Sequence, residues 1–535
     1  MTPRKHPSLP GFDGPLPDAQ RLSGVHPPES APGEGAAPPR SFNLVDEPWI
    51  LTAASPERKS LRDIFSDPAL SRLSGNPVDK IVVFRLLLSI VQASTDLRDL
   101  DAWADLTVER MAANALAYLD KWHDRFDLFG DKPFLQFPQL AGKGEPSSPG
   151  SLQVEVSTGN KVVLTDWNLY HELDLPRMAN FLLRAASFSC GGKKFDKSAV
   201  LSPGHTKKST GKSGTLLGFA GYMHSYMCCP TILESVKFNL LTDGDIKEIG
   251  VFPGGKGTPC WEEMPQGEID ERAEQYRKTY LGQLFPLDKF LLIQGDQIIK
   301  TDGIGYLGHK EGLVDPAVKI EKGKAVWVRT DKQPWRELPA LLAFLEAKDD
   351  NARTPFFLCS GLEKARHANL ESISVYVGGM QVSSNAGEQY VSGKNDYVES
   401  EFSFPTANMG TKGFGRFKDF MKALDDETKI LFASVSGYFR ELKTEPNSAS
   451  DFASAATSRF WEIMSDRAQE AIFFTFSDAS DEEYAAGLDE RKKQWHGVVS
   501  RLYDEACPRD TPRQLTAWVK CAPNFKPKSR KEKKS

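Results

Sequence analysis

Few residues in this chain have the types and spacing that covalent chemistry needs. One His-Asp dipeptide, His123-Asp124, has the pairing that ligates metals in some phosphohydrolases. Such a site needs further ligands converging on it, and none of the nine histidines stands in an HxH or HExxH arrangement. The pair therefore reads as incidental, at a helix end. GIGYLG (Gly303 to Gly308) satisfies GxGxxG, but a pyrophosphate is held there only if a helix opens directly after it. HKEGLVDP follows instead, and Gly312 and Pro316 break any helix, so a glycine-rich turn is expected. GKS at Gly211 to Ser213 lacks the glycine a phosphate loop requires five positions earlier, where Thr206 stands. Asp425 and Asp426 read as a solvated helix face, and no serine sits in GxSxG.

The strongest signal is binding chemistry. Gly191 to Ser213 carries Lys193, Lys194, Lys197, Lys207, Lys208 and Lys212 against Asp196 alone, in a Gly/Ser-rich context. Flexible lysines tracking phosphates release counterions and supply sequence-independent affinity for nucleic acid. The pair Gly191-Gly192 lets backbone approach a groove closely. A solvated loop is the plain alternative.

These residues need elements to position them. The chain has 535 residues, 67 Lys+Arg against 72 Asp+Glu and 40% hydrophobic residues, enough for about two to four domains with their own cores. The longest apolar stretch, Ile81 to Val91, is 11 residues long and carries Arg85, so it is a core helix rather than a membrane span. No apolar signal region opens the chain, and a cytoplasmic protein is expected. The seven cysteines are scattered without a CxxC pair, which excludes a zinc ribbon and a disulfide framework. No metal or cofactor is expected.

Residues 1–40 hold 10 of the 35 prolines and read as a disordered tail. Phe42 to Ile50 reads as a short strand ending near Pro48. A helix should start at Pro77, capped by Asn76 and favoured by Asp79, and a second should span Leu97 to Arg125. Between 152 and 400, runs such as SVKFNLLT, KFLLIQGDQIIK, KAVWVRT and ISVYVGG read as strands among helices such as Met178 to Phe188. GGMQVSSNAGEQYVSG (Gly378 to Gly393) reads as a hairpin or extended turn. After Asn408 four amphipathic segments with short polar connections predict a helical bundle. The expected fold is α+β: a tail (1–40), a mixed α/β globular domain (41–404), a four-helix bundle (405–521) and a basic tail (522–535).

Several segments, in order, resemble the large subunit (CasA family) of the type I-E CRISPR Cascade surveillance complex. They are FNLVDEPWI, SLRDIFSDP, WHDRFDLFGDKPFLQFPQL, GGMQVSSNAG, SRFWEIM and LYDEACPRDTPRQLTA, spanning about residues 42–521. The resemblance implies a non-catalytic subunit that recognises the protospacer-adjacent motif (PAM) on double-stranded target DNA, promotes strand opening and recruits a helicase–nuclease effector. It implies other Cascade subunits and the crRNA 5′ handle as partners, and no membrane. The family's glycine loop matches Gly191, Gly192 and Lys193. Its hairpin wedge, a glutamine in relatives, matches Ser384 and Asn385, with Gln381 and Gln389 out of register. Its lysine finger matches Lys300 or Lys310. Its RNA-handle loop matches Asn160, with Val163 where relatives carry an aromatic. The rival readings are a purely structural bridging subunit and a standalone nucleic-acid-processing enzyme.

Overall fold

A computed structural model describes residues 41–53, 55–152, 174–188, 197–205, 221–346, 354–385, 388–390 and 396–525. Both expected tails fall outside this range except for residues 522–525. The first described residues form a turn where a strand from Phe42 is expected. The Asn43 carbonyl accepts from Asp46 and Glu47 (3.1 and 2.8 Å). The first strand, β1 (Ile50–Thr52), therefore begins after Pro48 and pairs with β2 (Ser55–Lys59). Helix α1 (Leu61–Ser66) starts from a Ser60–Asp63 capping box.

Helix α2 (Pro77–Ser94) starts as expected: the Asn76 side chain accepts from the Asp79 N–H at 2.9 Å. It is buried nearly all round, Arg85 included. The long helix expected next is broken at Leu106. It forms α3 (Leu100–Asp105) and α4 (Val108–Lys121), because the Thr107 hydroxyl caps a new start by accepting from Arg110 (3.2 Å). Helix α5 (Leu175–Ser187) packs on α2, where its buried Arg184 meets Asp79 at 3.3 Å.

Strand β3 (His224–Cys228) is followed by α6 (Ile232–Asn239), α7 (Asp243–Ile249), α8 (Glu271–Tyr276) and α9 (Tyr280–Leu284). The run SVKFNLLT is thus mainly helix, not strand. A Thr231–Glu234 capping box nucleates it, and the Asn239 side chain ties its end to both backbone groups of Met227 (2.9 and 2.8 Å). Two hairpins follow, β4 (Lys289–Gln294) with β5 (Gln297–Asp302), and β6 (Ile320–Glu321) with β7 (Lys324–Ala325). After α10 (Leu338–Leu341) and α11 (Phe356–His367), β8 (Ser372–Met380) leads to β9 (Ser383–Asn385), β10 (Glu388–Tyr390) and β11 (Tyr397–Pro405).

The central sheet has the order β11-β8-β3, all antiparallel. Its side chains alternate between two cores. Tyr226 and Tyr376 face the core built on α2, while Met227, Val375 and Val377 face the core that continues into the C-terminal helices. Those helices are α12 (Thr411–Glu441), α13 (Pro446–Ser465), α14 (Ala468–Thr475), α15 (Asp481–Ala506) and α16 (Pro512–Lys520). The second expected bundle helix is therefore two, interrupted at Asp466-Arg467, and α12 packs against the other four. The fold is α+β, mixed in its N-terminal part and helical in its C-terminal part. Among the described residues no helix is long and apolar enough to cross a membrane.

Candidate nucleic-acid interface

The hairpin expected at Gly378 is present. Strands β8 and β11 pair from Ser372↔Pro405 to Met380↔Tyr397, and β9 and β10 form its tip, with Asn385 opposite Glu388 and Ser384 opposite Gln389. Ser384 and Asn385 therefore lie next to the tip's connection, residues 386–387, which is outside the described residues. Gln381 is at the neck. Its side-chain oxygen accepts from the Thr330 N–H (2.7 Å) and the Thr330 hydroxyl (3.0 Å), tying the hairpin to the segment after β7.

The same segment joins the entry to β3. Val328 N–H donates to the Gly221 carbonyl (2.8 Å), and Met223 N–H to the Val326 carbonyl (3.0 Å). Gly379 is required here, since a Cβ on it would stand 2.7 Å from both the Tyr222 carbonyl oxygen and Val328 Cγ2. The turn after β5 also arrives. Tyr222 Oη and His309 Nδ1 share a 2.9 Å hydrogen bond, and Trp327 packs on Tyr222 with ring centroids 4.5 Å apart. Burial, then the Lys310 charge beside it, pull the His309 pKa below the ordinary histidine value, so the ring is neutral at physiological pH.

Behind β3 is buried charge. Arg85 Nη2 meets both Asp315 oxygens (2.6 and 2.8 Å) and faces His224 Nδ1 at 3.1 Å, while Nη1 donates to the Leu284 carbonyl (3.2 Å). Arginine only donates, so His224 Nδ1 is the acceptor. His224 pairs with Gly378 across the sheet, and its ring lies 5.1 Å from that of Phe188, the last described residue after α5. Nearby, the Asp288 N–H donates to the Ala186 carbonyl (2.8 Å). Burial works against the charge on Lys289, yet Asp288 and Asp302 (3.1 and 2.8 Å) outweigh it and hold its pKa above the usual lysine value.

Of the expected site residues, Asn160, Val163, Gly191, Gly192, Lys193, Lys194, Lys207, Lys208 and Lys212 lie outside the described residues. The flanks of their three stretches are described: Leu152 and Asp174 bound the first, Phe188 and Lys197 the second, His205 and Gly221 the third. Lys197 opens a short 3-10 turn, Lys197–Ala199. Phe188 and Gly221 both lie beside β3, next to the hairpin neck. The two lysine-finger candidates separate. Lys310 is exposed on the turn bound to Tyr222, whereas Lys300 is in β5 opposite Leu291, on a hairpin tied through that residue to Gln136 and Phe137.

The sites set aside are accounted for. His123 pairs with Asp46 (2.6 Å) rather than acting with Asp124. GIGYLG continues as a turn with no helix. Asp425 and Asp426 are exposed, and Asp426 binds Lys429 at 2.8 Å. A cavity of about 470 Å³ lies against β11, but its charges neutralise one another: Arg72 binds Glu401 and Lys80 binds Glu399, each at 2.8 Å. Burial pushes the thiols of Cys228, on its wall, and Cys229 up to about 12, so both are protonated at neutral pH. Among the described residues no group of three or more His, Cys, Asp or Glu is placed to hold a metal ion. Sequence reasoning missed Trp327 and the Thr330–Gln381 tie. The signal was present in KAVWVRT, where a tryptophan stands between Lys324 and Arg329, but its β-branched neighbours made the run read only as strand.

The architecture is that of CRISPR-associated proteins. It matches the solved structures of CasA (Cse1) from Thermus thermophilus (TM-score 0.65) and Cse1 from Thermobifida fusca (0.67), each 17% identical over 90% of this chain and 97% of the other. It also matches a chain of a CRISPR RNA-guided surveillance complex (TM-score 0.56, 18% identity, 90% and 99% covered). A family model described as CRISPR-associated protein Cse1 matches residues 43–506, and the chain belongs to that family of CasA-type large subunits. No curated protein matches it by sequence.

Proposed function

We propose that this chain is the non-catalytic large subunit of a type I-E CRISPR Cascade complex, working in the cytoplasm. In this reading it recognises the PAM on double-stranded target DNA, promotes strand opening for R-loop formation and recruits the helicase–nuclease effector. The observation that carries the reading is the braced hairpin. A nine-pair ladder, locked to β3 on one edge and to Thr330 at its neck, projects Ser384 and Asn385 from a rigid base. Prying a base step apart costs a few kcal/mol, and a wedge transmits that load only if its support does not yield. Gly191 and Gly192 would present backbone to the minor groove, whose code is degenerate but accessible to a chain without side chains. Lys193, Lys194, Lys197, Lys207, Lys208 and Lys212 would track phosphates, with Lys310 preferred to Lys300 as the finger because its turn adjoins the neck. Asn160 would lie toward the crRNA 5′ handle. Residues 41–404 would carry recognition, and 405–521 contacts with other subunits and the effector. The pairing of guide RNA with target supplies the remaining sequence discrimination.

The test compares the guide-loaded complex with and without this chain on duplexes bearing a randomised motif beside a guide-matched target, at two salt concentrations. Enrichment of a short motif only when the chain is present is expected. A Gly192→Asp, Asn385→Ala double variant should bind target about tenfold or more weakly, with its unfolding midpoint unchanged. Equal motif enrichment with and without the chain would reduce it to a bridging subunit.

A further inference from the structure

Trp327 has no part in the functions above, yet its placement is costly for an ordinary surface residue. It is 37% exposed, the one exposed tryptophan among the described residues. It is also held on several sides. Its ring lies over Gly221 so closely that a Cβ there would stand 2.9 Å from Trp327 Cζ3. Tyr222 backs it at 4.5 Å, and His309 meets it edge-on at 5.2 Å and 87°. Its backbone forms a bridge with Tyr222, one residue before the Val328 that packs against Gly379. An exposed aromatic so braced has lost its rotamer freedom in advance.

Three lysines lie close by, with Glu311 beside the first and Glu321, bound to Lys319, beside the second. Lys310 follows His309, and the β6–β7 turn, with Lys322 and Lys324, comes within 3.6 Å of the Lys310 Cα when measured from a Cβ placed on Gly323. All three lysines are exposed, and among the described residues none of them forms an ion pair, whereas Arg329 is spent on Asp331 (2.6 Å). A fixed aromatic face beside uncommitted lysines, next to the neck of the hairpin, is the chemistry that holds an unpaired base by stacking and its backbone by charge.

We infer that Trp327 is a stacking platform for an unstacked base of single-stranded DNA, with Lys322 and Lys324 holding the neighbouring phosphates. The inference rests on the DNA-opening reading and extends it. A base parted at the hairpin is caught a few residues from the neck rather than released to re-pair. Stacking of this kind is sequence-tolerant, because every base offers a π-face.

The full-length chain is titrated into fluorescein-labelled oligo-dT and, separately, oligo-rU, with anisotropy as readout, for the wild type, Trp327→Ala, Trp327→Leu and Trp327→Phe. Trp327→Leu keeps an apolar body over Gly221 without a π-face, and unfolding midpoints identify any variant that has merely lost its fold. Oligo-dT binding should weaken about tenfold in Trp327→Ala and Trp327→Leu and return in Trp327→Phe. Unchanged affinity in a folded Trp327→Leu variant would overturn the platform, and tighter binding of oligo-rU than oligo-dT would assign it to RNA instead. The same variants in the guide-loaded complex keep the two readings separate. If the wild type fails to select a motif in duplex DNA, the proposed function falls, while the oligo-dT titration still decides Trp327.

Discussion

On one side of strand β8 the molecule is held by buried charge, and on the other by packed helices whose charges are mostly in water. The α2 side contains Arg85–Asp315, Arg184–Asp79 and the Lys289 pair with Asp288 and Asp302, with arginine and lysine side chains at most 5% exposed. In the helical region the ion pairs Lys429–Asp426, Arg459–Glu462 and Lys492–Asp489 are solvent-exposed and three residues apart. Arg416 is a buried exception, gripping the Ala479 carbonyl and Asp481 at the start of α15, and Glu427 is another. Helices satisfy their own backbone, so apolar stripes suffice to assemble them. The α2 side mixes helices with short strands, turns and loops, and it needs directional bonds to fix the segments that carry no ladder of their own. The loops proposed to meet DNA grow from this wired side.

The contrast can be broken by removing one charge on each side. Arg85→Ala leaves Asp315 buried without its cation and should cost about 3–5 kcal/mol in chemical denaturation of the full chain. A loss no larger than that of an exposed pair would show that the wiring is not what holds the α2 side. The helical region offers the opposite sign. Burial, reinforced by Asp426 and opposed by Lys492, pushes the Glu427 carboxyl up to about 7 from its usual 4.5. The folded state therefore favours its protonated form. Its contribution is full below the unfolded pKa and is lost as pH rises from about 4.5 through 7. Glu427→Gln keeps the shape and a partner for His496 Nε2, 3.0 Å away. It should stabilise the protein by about 1 kcal/mol at pH values above 7 and flatten the pH profile of the unfolding midpoint. Smallest of all, Lys429→Ala removes an exposed pair and should leave that midpoint unchanged within error.

How much of this was legible beforehand follows the same division. Where a local rule decides, the sequence was readable. Asn76, Pro77 and Asp79 announce α2, and the alternation in ISVYV announces β8 with the hairpin after it. Where two local rules compete, the reading failed. In SVKFNLLT the β-branched residues suggested a strand, but Thr231 and Glu234, just upstream, cap a helix. Thr107 likewise ended a helix that periodicity alone would have continued. The glycine, basic and RNA-handle segments were legible as motifs and resemblance, though most of their residues lie outside the described ones. Trp327 was visible only as a tryptophan among cations, and neither its bracing nor the Gln381–Thr330 tie was legible, because each depends on partners dozens to about a hundred residues away.

Arg85 also bears on the order of assembly. Its acceptors lie 139, 199 and 230 residues further along the chain, at His224, Leu284 and Asp315. Helix α2 can form as soon as its own residues exist, but closing such long loops is slow and entropically costly. At translation speeds of about 5–20 residues per second, Arg85 waits on the order of 10–50 seconds for Asp315. Until then α2 can pack on α4 and α5 through its apolar faces, but it carries an uncompensated cation on a face destined for the interior.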